Sequence, residues 1–152
     1  MIVREAKSGD LNSIVEFQLS MAKETEAVML DRNTVEKGVA AVLKDSSKGI
    51  YYVAEADGIV IGSLLTTYEW SDWRNGTVLW IQSVYVVPEF RRKGVYSKIY
   101  GYVKNRVLES SHLKGIRLYA DKKNSGAQLV YRKLGMNPDH YITFEWLKEN
   151  TQ

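Results

Sequence analysis

The stretch that decides the fold is WIQSVYVVPEFRRKGVYSKIY, residues 80–100. Its first part is apolar and β-branched, and it stops at Pro88, which cannot donate a hydrogen bond to a sheet. The basic turn RRKG, residues 91–94, follows, and apolar residues then recur at helical spacing over residues 95–107. A strand, a basic turn with glycine and a helix together predict an anion site. The N–H groups of a first helical turn and the positive end of the helix dipole attract negative charge.

This arrangement resembles motif A of the GNAT superfamily of N-acetyltransferases, V-x-P-x-x-[QR]-x-x-G-x-[GA] between a strand and a helix. In that family the turn holds the pyrophosphate of acetyl-CoA, and the strand before it binds the pantetheine arm. The resemblance therefore implies that acetyl-CoA is bound by Val84, Tyr85, Val86, Arg91, Arg92, Lys93, Gly94, Val95, Tyr96 and Ser97. Tyr96 departs from the motif, which has glycine or alanine there, so its ring must turn aside for a phosphate to approach.

A second motif of the same family, N-x-x-A-x-x-x-Y-x-x-x-G-[FM], is matched by Asn124, Ala127, Tyr131 and Gly135. The resemblance implies that Tyr131 is the general acid for the departing thiolate, since a phenol with a pKa of about 10 stays protonated at neutral pH. The alternative is that Tyr131 only packs against the CoA groove. Asn124 either caps a helix, contacts the cofactor arm, or does both.

The predicted elements follow the order β-α-α-β-β-β-α-β-α-β, which is that of the GNAT fold. The expected fold class is α/β (α+β): one N-acetyltransferase domain over residues 1–152, with a mixed, mostly antiparallel sheet and helices on both faces. Asp57-Gly58 and Asn75-Gly76 are hairpin turn signals. Ser8 is the predicted N-cap of the first helix, and Asn33 begins a predicted capping box for the second. The last strand is predicted over residues 141–147.

The composition of the 152 residues is that of a soluble globular protein, with a net charge of +3. The absence of cysteine excludes disulfides and thiolate catalysis, and the two histidines have no metal-ligand spacing, so no metal is expected. The basic clusters accompany no nucleic-acid motif, so no nucleic-acid partner is expected. Without a signal peptide or a long apolar span, the expectation is a cytoplasmic protein with no membrane contact.

Acetyl transfer to an amine needs a proton acceptor, because an alkylamine with a pKa of about 10.4 is mostly protonated at pH 7. Many GNAT relatives have a glutamate where this chain has Gln82, which cannot take that role. The remaining candidates for the base are Glu24, Glu26, Glu69 and Asp72. For each of them the alternative is an ordinary surface carboxylate with no catalytic role. A water chain held by Gln82 and Ser83 is an equally good candidate for the proton acceptor.

Aromatic residues surround the predicted connection between the third and fourth strands, namely Tyr68, Trp70, Trp73 and Trp80. They either pack at the end of the sheet or form an aromatic and acidic wall for a cationic acceptor. The motif layout is similar to that of a bacterial branch of the GNAT superfamily near the diamine and polyamine acetyltransferases. A small-molecule amine is therefore the expected acceptor.

Three functional hypotheses follow. The favoured one is an acetyl-CoA-dependent N-acetyltransferase that moves an acetyl group to a primary amine of a small molecule by direct attack on the thioester. The alternatives are a protein or peptide N-acetyltransferase, or one that uses another acyl group, and a catalytically silent CoA-binding module. Gln82 and Tyr96 motivate the last of these. Many relatives dimerise, so the resemblance leaves a homodimer open.

Overall fold

The computed structural model describes residues 1–148. Contacts within the chain divide it into two compact units, Met1–Leu118 and Tyr119–Gln152. The first unit contains β1 (Ile2–Glu5), α1 (Leu11–Glu26), α2 (Arg32–Lys44), β2 (Ile50–Ala56), β3 (Ile59–Ser71), β4 (Gly76–Val86), α3 (Val95–Glu109) and β5 (Leu113–Leu118). Short 3-10 turns at Ser8–Asp10 and Pro88–Phe90 precede α1 and the basic turn. The second unit contains α4 (Ser125–Lys133).

The five strands lie in the sheet in the order β1-β2-β3-β4-β5. The first three pairings are antiparallel and β4 pairs with β5 in parallel. A parallel pair needs a crossover, and α3 supplies it. The mixed, mostly antiparallel sheet with four described helices confirms the predicted α+β fold class.

The turn between β2 and β3 confirms the strongest hairpin signal in the sequence. Asp57 and Gly58 have φ of 50° and 78°, which is the pair of left-handed residues that a type I′ turn requires. Glycine adopts this conformation without steric cost, and aspartate tolerates it better than most residues.

Helices cover both faces of the sheet. On one face a fully packed cluster joins α1, α2 and β2 through Ile14, Val15, Val39, Tyr51 and Val53. On the other face Ile99 and Val103 of α3 are completely buried, and the ring of Tyr102 lies 5.7 Å from that of Tyr52. Tyr51 and Tyr52 are consecutive in β2 and so point to opposite faces.

The predicted N-caps of the first two helices are wrong. α1 begins at Leu11, after the 3-10 turn that contains Ser8. α2 follows Asp31, whose carboxylate accepts a hydrogen bond from the backbone N–H of Thr34 at 3.0 Å. Asp31 is as good a cap as Asn33 and lies two residues earlier, so the helix gains an additional half turn.

The predicted last strand is also wrong. Residues 141–147 have no regular structure. Their large side chains lie in solvent, with exposed fractions of 76% for Tyr141, 88% for Phe144 and 85% for Trp146. Alternating apolar residues favour a strand only when a neighbouring strand takes up the backbone groups and one face is covered, and the sheet formed by residues 1–148 does not include this segment.

Candidate active site

Strand β4 is paired differently along its two halves. β3 pairs with β4 from Ser71↔Gly76 to Gly62↔Val86, whereas the pairing with β5 ends at Ile81↔Leu118. We call residues 76–81 the paired half and residues 82–86 the open half. In the open half the register with β3 shifts around Ser83, which has φ of 55°, the mark of a β-bulge. The β4–β5 pairing thus leaves one edge of the open half without hydrogen bonds to β5.

The chain leaves the open half through Pro88–Phe90 and enters the basic turn. Arg92 and Gly94 have left-handed φ of 63° and 77°. Gly94 is the N-cap of α3, and its carbonyl accepts the first helical hydrogen bond, from the N–H of Lys98 at 3.1 Å. Among the described residues, no side chain makes a capping hydrogen bond at this helix end. A helix N-terminus without a capping side chain can direct its first N–H groups at a bound anion.

Arg91 is held by three contacts at the end of β4. Its Nε donates to the carbonyl of Val86 at 2.8 Å, and its Nη2 donates to Glu24 of α1 at 2.7 Å. The guanidinium also lies 5.3 Å from the centre of the Tyr85 ring. Of the residues predicted to bind pyrophosphate, Arg91 is therefore the one whose side chain is engaged by β4 and α1.

The side chain of Tyr85 is buried in the core. It is 8% exposed, its ring stacks on Phe17 of α1 at 5.1 Å, and its hydroxyl donates to Glu24 at 3.3 Å. The neighbouring open-half residues Val84 and Val86 are half-buried. Any contact of Tyr85 with a cosubstrate would therefore come from its backbone.

Of the other predicted residues in this region, Tyr96 is half-buried, with its ring 6.1 Å from that of Tyr100. Val95 is buried, while Lys93 and Ser97 are exposed. The Nζ of Lys93 lies 5.3 Å from the centre of the Phe90 ring. The exposed cation of Lys93 adds positive charge beside the N-terminus of α3.

Glu69 makes a poor candidate for the base. Its carboxylate accepts a hydrogen bond from the indole Nε1 of Trp80 at 2.9 Å and pairs with Arg117 of β5. The Trp80 hydrogen bond, followed by the contact with Arg117, holds the pKa of Glu69 below its usual value. A carboxylate stabilised in its charged form accepts a proton less readily. The residue ties β3 to β4 and β5.

The other base candidates lie in two places. Glu24 is in the last turn of α1 and is paired with Arg91, while Glu26 ends the same helix and is exposed. Asp72 is in the β3–β4 connection, where its carboxylate accepts a hydrogen bond from the N–H of Trp73 at 2.9 Å. Gln82, in the open half, donates to the hydroxyl of Thr67 at 2.7 Å.

The aromatic residues near the β3–β4 connection do not form one wall. Trp80 is opposite Thr67 in the register and is hydrogen-bonded to Glu69, so it lies on the face that α1 and α2 cover. Tyr68 and Trp70 alternate with those residues along β3 and point to the other face. Trp70 and Trp73 are 65% and 90% exposed, so the first of the two alternatives, packing at the end of the sheet, is wrong for these two residues.

In the second unit, the side chain of Asn124 accepts a hydrogen bond from the N–H of Ala127 at 3.0 Å, and so confirms the predicted cap of α4. Gly135, with φ of 88°, follows the helix end. Burial raises the pKa of Tyr131 above that of a free phenol. The side chain therefore stays protonated at neutral pH, which a proton donor requires.

The sequence did not predict that Arg117 is a partner of Glu69 or that Phe17 stacks on Tyr85. Arg117 had a local signal, since it is a charged residue within the apolar run of β5. The pairing of Glu24 with Arg91 had none, because the two residues are 67 positions apart. Within residues 1–148 no three metal-ligating side chains come together, and none of the helices there combines the length and apolar character needed to cross a membrane.

Comparison with known proteins identifies the family. The model of the acetyltransferase (GNAT) family matches residues 17–136. A possible acetyltransferase from Clostridium difficile 630 is 43% identical, with 97% of each chain covered and a TM-score of 0.90. No curated protein gives a significant match. The chain belongs to the GNAT acetyltransferase family, and the resemblance of its two motifs to that family is thereby confirmed.

Two more distant structures share the fold. An aminoglycoside acetyltransferase, meta-AAC0020, from an uncultured soil metagenomic sample was solved in complex with sisomicin. It is 14% identical, with 97% of this chain and 96% of that one covered and a TM-score of 0.77. AAC(6')-Iy was solved with a bisubstrate analogue, CoA-S-monomethyl-acetylneamine. It is 17% identical, with 97% of each chain covered and a TM-score of 0.75.

Proposed function

We propose that this protein is an acetyl-CoA-dependent N-acetyltransferase that acetylates a primary amine of a small molecule by direct attack on the thioester. The observation that carries the proposal is the open half of β4 leading, through a left-handed turn, to the uncapped N-terminus of α3. In this proposal residues 1–152 act as one catalytic domain.

The proposed donor site has the types of group that bind the pantetheine arm and the pyrophosphate of CoA. Backbone groups of residues 84–86 would bind the pantetheine amides on the edge of β4 that β5 leaves open. The turn and the first helical residues would hold the phosphates: Arg92, Lys93, Gly94, Val95, Tyr96 and Ser97. Asn124 would add a contact to the arm. When bound, acetyl-CoA supplies the activated acetyl group, and a backbone N–H of the open half would polarise its carbonyl.

Two proton transfers remain for the protein. Tyr131 would donate the proton of its hydroxyl to the departing sulfur, as its motif position implies, and its raised pKa keeps that proton available. The amine proton would pass to water held beside Gln82 and Ser83, since Glu69 is stabilised in its charged form by Trp80. The aminoglycoside acetyltransferases that share the fold act on small molecules with amino groups, and this supports a small cationic acceptor here.

The proposal is tested by calorimetry with CoA and by thiol release from acetyl-CoA with a panel of diamines, aminoglycosides and peptides. Tyr131→Phe should lower kcat by about 10²–10⁴-fold, while the Kd for CoA stays unchanged. Tyr102→Phe is the matched control, because it removes a half-buried phenol on α3 outside the proposed site, and it should leave kcat unchanged.

The outcomes separate the hypotheses. Acetylation of peptides alone would favour the protein N-acetyltransferase. CoA binding with no acceptor in the panel acetylated would favour the silent module, which Gln82 and Tyr96 motivate. Failure of the wild-type protein to bind CoA would refute the proposal as a whole.

A further inference from the structure

Arg91 connects three elements of the first unit at the point where the basic turn begins. Its guanidinium uses Nε on the last carbonyl of β4, at Val86, and Nη2 on Glu24 in the last turn of α1. The Cζ atom of the guanidinium lies over the ring of Tyr85, 5.3 Å from the ring centre. A guanidinium has its donors in a rigid planar fork, so two such bonds fix its orientation as well as its position.

The carboxylate of Glu24 is fixed by the same group of residues. One oxygen accepts from Arg91 at 2.7 Å and the other from the hydroxyl of Tyr85 at 3.3 Å. Tyr85 is itself immobilised by stacking on Phe17. The ion pair therefore rests on a packed aromatic base, although its two side chains are 43% and 41% exposed.

The ion pair between Glu24 and Arg91 affects the turn because of where Arg91 lies in the chain. Arg91 is the first residue of the turn, and Arg92 directly after it has a left-handed φ of 63°. A non-glycine residue in that conformation costs about 1–2 kcal/mol, so neighbouring contacts must hold it there. The fixed side chain of Arg91 is such a contact, and Glu24 is one of its two anchors.

We propose that Glu24 is a positioning residue for the CoA-binding turn, which acts by holding the guanidinium of Arg91 against the end of β4. The inference rests on the proposed function, because it assumes that the turn binds CoA. It assigns Glu24 a role other than that of the base, and it assigns Arg91 the role of a brace within the protein rather than that of a phosphate ligand.

The test measures the Kd of CoA by calorimetry for Glu24→Ala, Arg91→Ala and the double variant. Each single variant should raise the Kd by about fivefold, the effect of a moderately exposed ion pair. The double variant should be no weaker than the weaker single one, because the two residues act as a unit. Glu24→Gln keeps an oxygen that accepts from Arg91, so it should restore the Kd to within about twofold of wild type.

Turnover provides the readout that separates positioning from proton transfer. Glu24→Gln should keep the wild-type kcat, and Glu24→Ala should raise the KM for acetyl-CoA with little change in kcat. A base would lose kcat in both variants. The control pair is Arg32 with Glu16, also 2.7 Å apart, with side chains 54% and 57% exposed on α2 and α1. Arg32→Gln should leave the Kd unchanged.

Three results would overturn the inference. Tighter CoA binding by Glu24→Ala would mean that Glu24 competes with phosphate for Arg91. Additive losses in the double variant, or an unchanged Kd in Glu24→Ala, would mean that the pair does not act on the turn. If the wild-type protein binds CoA in these cases, the proposed function stands and only the inference about Glu24 fails. If the wild-type protein does not bind CoA, both the inference and the proposed function fail.

Discussion

The paired and open halves of β4 are continuous in sequence, but they differ in strand pairing, in backbone regularity and in the burial of their side chains. The paired half, residues 76–81, has a strand on each side, and Ile81 at its end is 2% exposed. The open half, residues 82–86, pairs within residues 1–148 with β3 alone, and it has a bulge at Ser83 and mostly half-buried side chains. Backbone groups satisfied on both sides stabilise the sheet, and backbone groups left at an edge are available to a ligand.

Each half also has its own glutamate–arginine pair. Glu69 and Arg117 join β3 to β5 beside the paired half, whereas Glu24 and Arg91 join α1 to the turn that follows the open half. The first pair includes an indole donor and the second a phenol donor. The comparison predicts that changes at the first pair alter stability and that changes at the second alter CoA binding.

The largest effect on stability is expected in the paired half. Ile81→Ala should lower the free energy of unfolding by about 2–5 kcal/mol, because it leaves a cavity in the core. Urea unfolding measures the loss, and the Kd for CoA at a temperature where the variant is folded should stay near that of wild type. Val84→Ala, at a half-buried site in the open half, should destabilise much less. Equal losses at both sites would contradict the division of β4 into two halves.

A smaller effect is expected at the turn. Gly94→Ala forces a side chain into φ of 77°, at a cost of about 1–2 kcal/mol. The space for the new methyl group is open, with no atom within 4 Å, so the effect arises from the backbone alone. Relaxation of the turn should raise the Kd for CoA by about tenfold, the equivalent of the middle of that range.

Gly101→Ala is the matched control for that variant. Gly101 lies inside α3, also with no atom within 4 Å of an added Cβ. Alanine there should stabilise the helix by about 0.5–1 kcal/mol and should not alter the Kd for CoA. An equal change in Kd in both variants would show that α3 as a whole, rather than the turn, controls binding.

The smallest effect is a pH dependence at Glu69. Its pKa is lowered in the folded state, mainly by the Trp80 hydrogen bond, so the folded protein holds this carboxylate deprotonated more strongly than the unfolded chain does. The resulting stability is present above the unfolded pKa of about 4.5 and is lost as the pH falls through the lower folded value. The Tm of Glu69→Gln should be below that of wild type at pH 7, and the difference should shrink as the pH falls below about 4.5. A difference independent of pH would assign the loss to packing.

Local signals in the sequence predicted the parts of the molecule that depend on neighbours in the chain. Asp57-Gly58 determines its own turn by φ alone, and residues 80–100 contain the strand, the turn and the helix start in one run. The faces of β3 were also predictable. Glu69 and Trp70 are consecutive and must point apart, so the aromatic wall could have been divided correctly by alternation.

The parts that failed depend on partners far away in the chain. The last strand was predicted from alternation in residues 141–147, which says nothing about whether a neighbouring strand is present. Glu24 pairs with Arg91, and Glu69 pairs with Arg117, at separations of 67 and 48 residues. A charge within an apolar run, such as Arg117, can be noticed in the sequence, but the residue that it pairs with cannot be read from its neighbours in the chain.

The strand order of the sheet has a consequence for how the molecule folds. β2, β3 and β4 are neighbours both in the chain and in the sheet, so their hairpins close over short turns at small entropic cost. β5 pairs with β4 only after α3 has crossed over, and non-local pairing of this kind is slow. The turn at residues 91–94 lies within that crossover. The proposed anion site would therefore form only when the slow step is complete, and CoA binding during refolding would report the native state rather than the early hairpins.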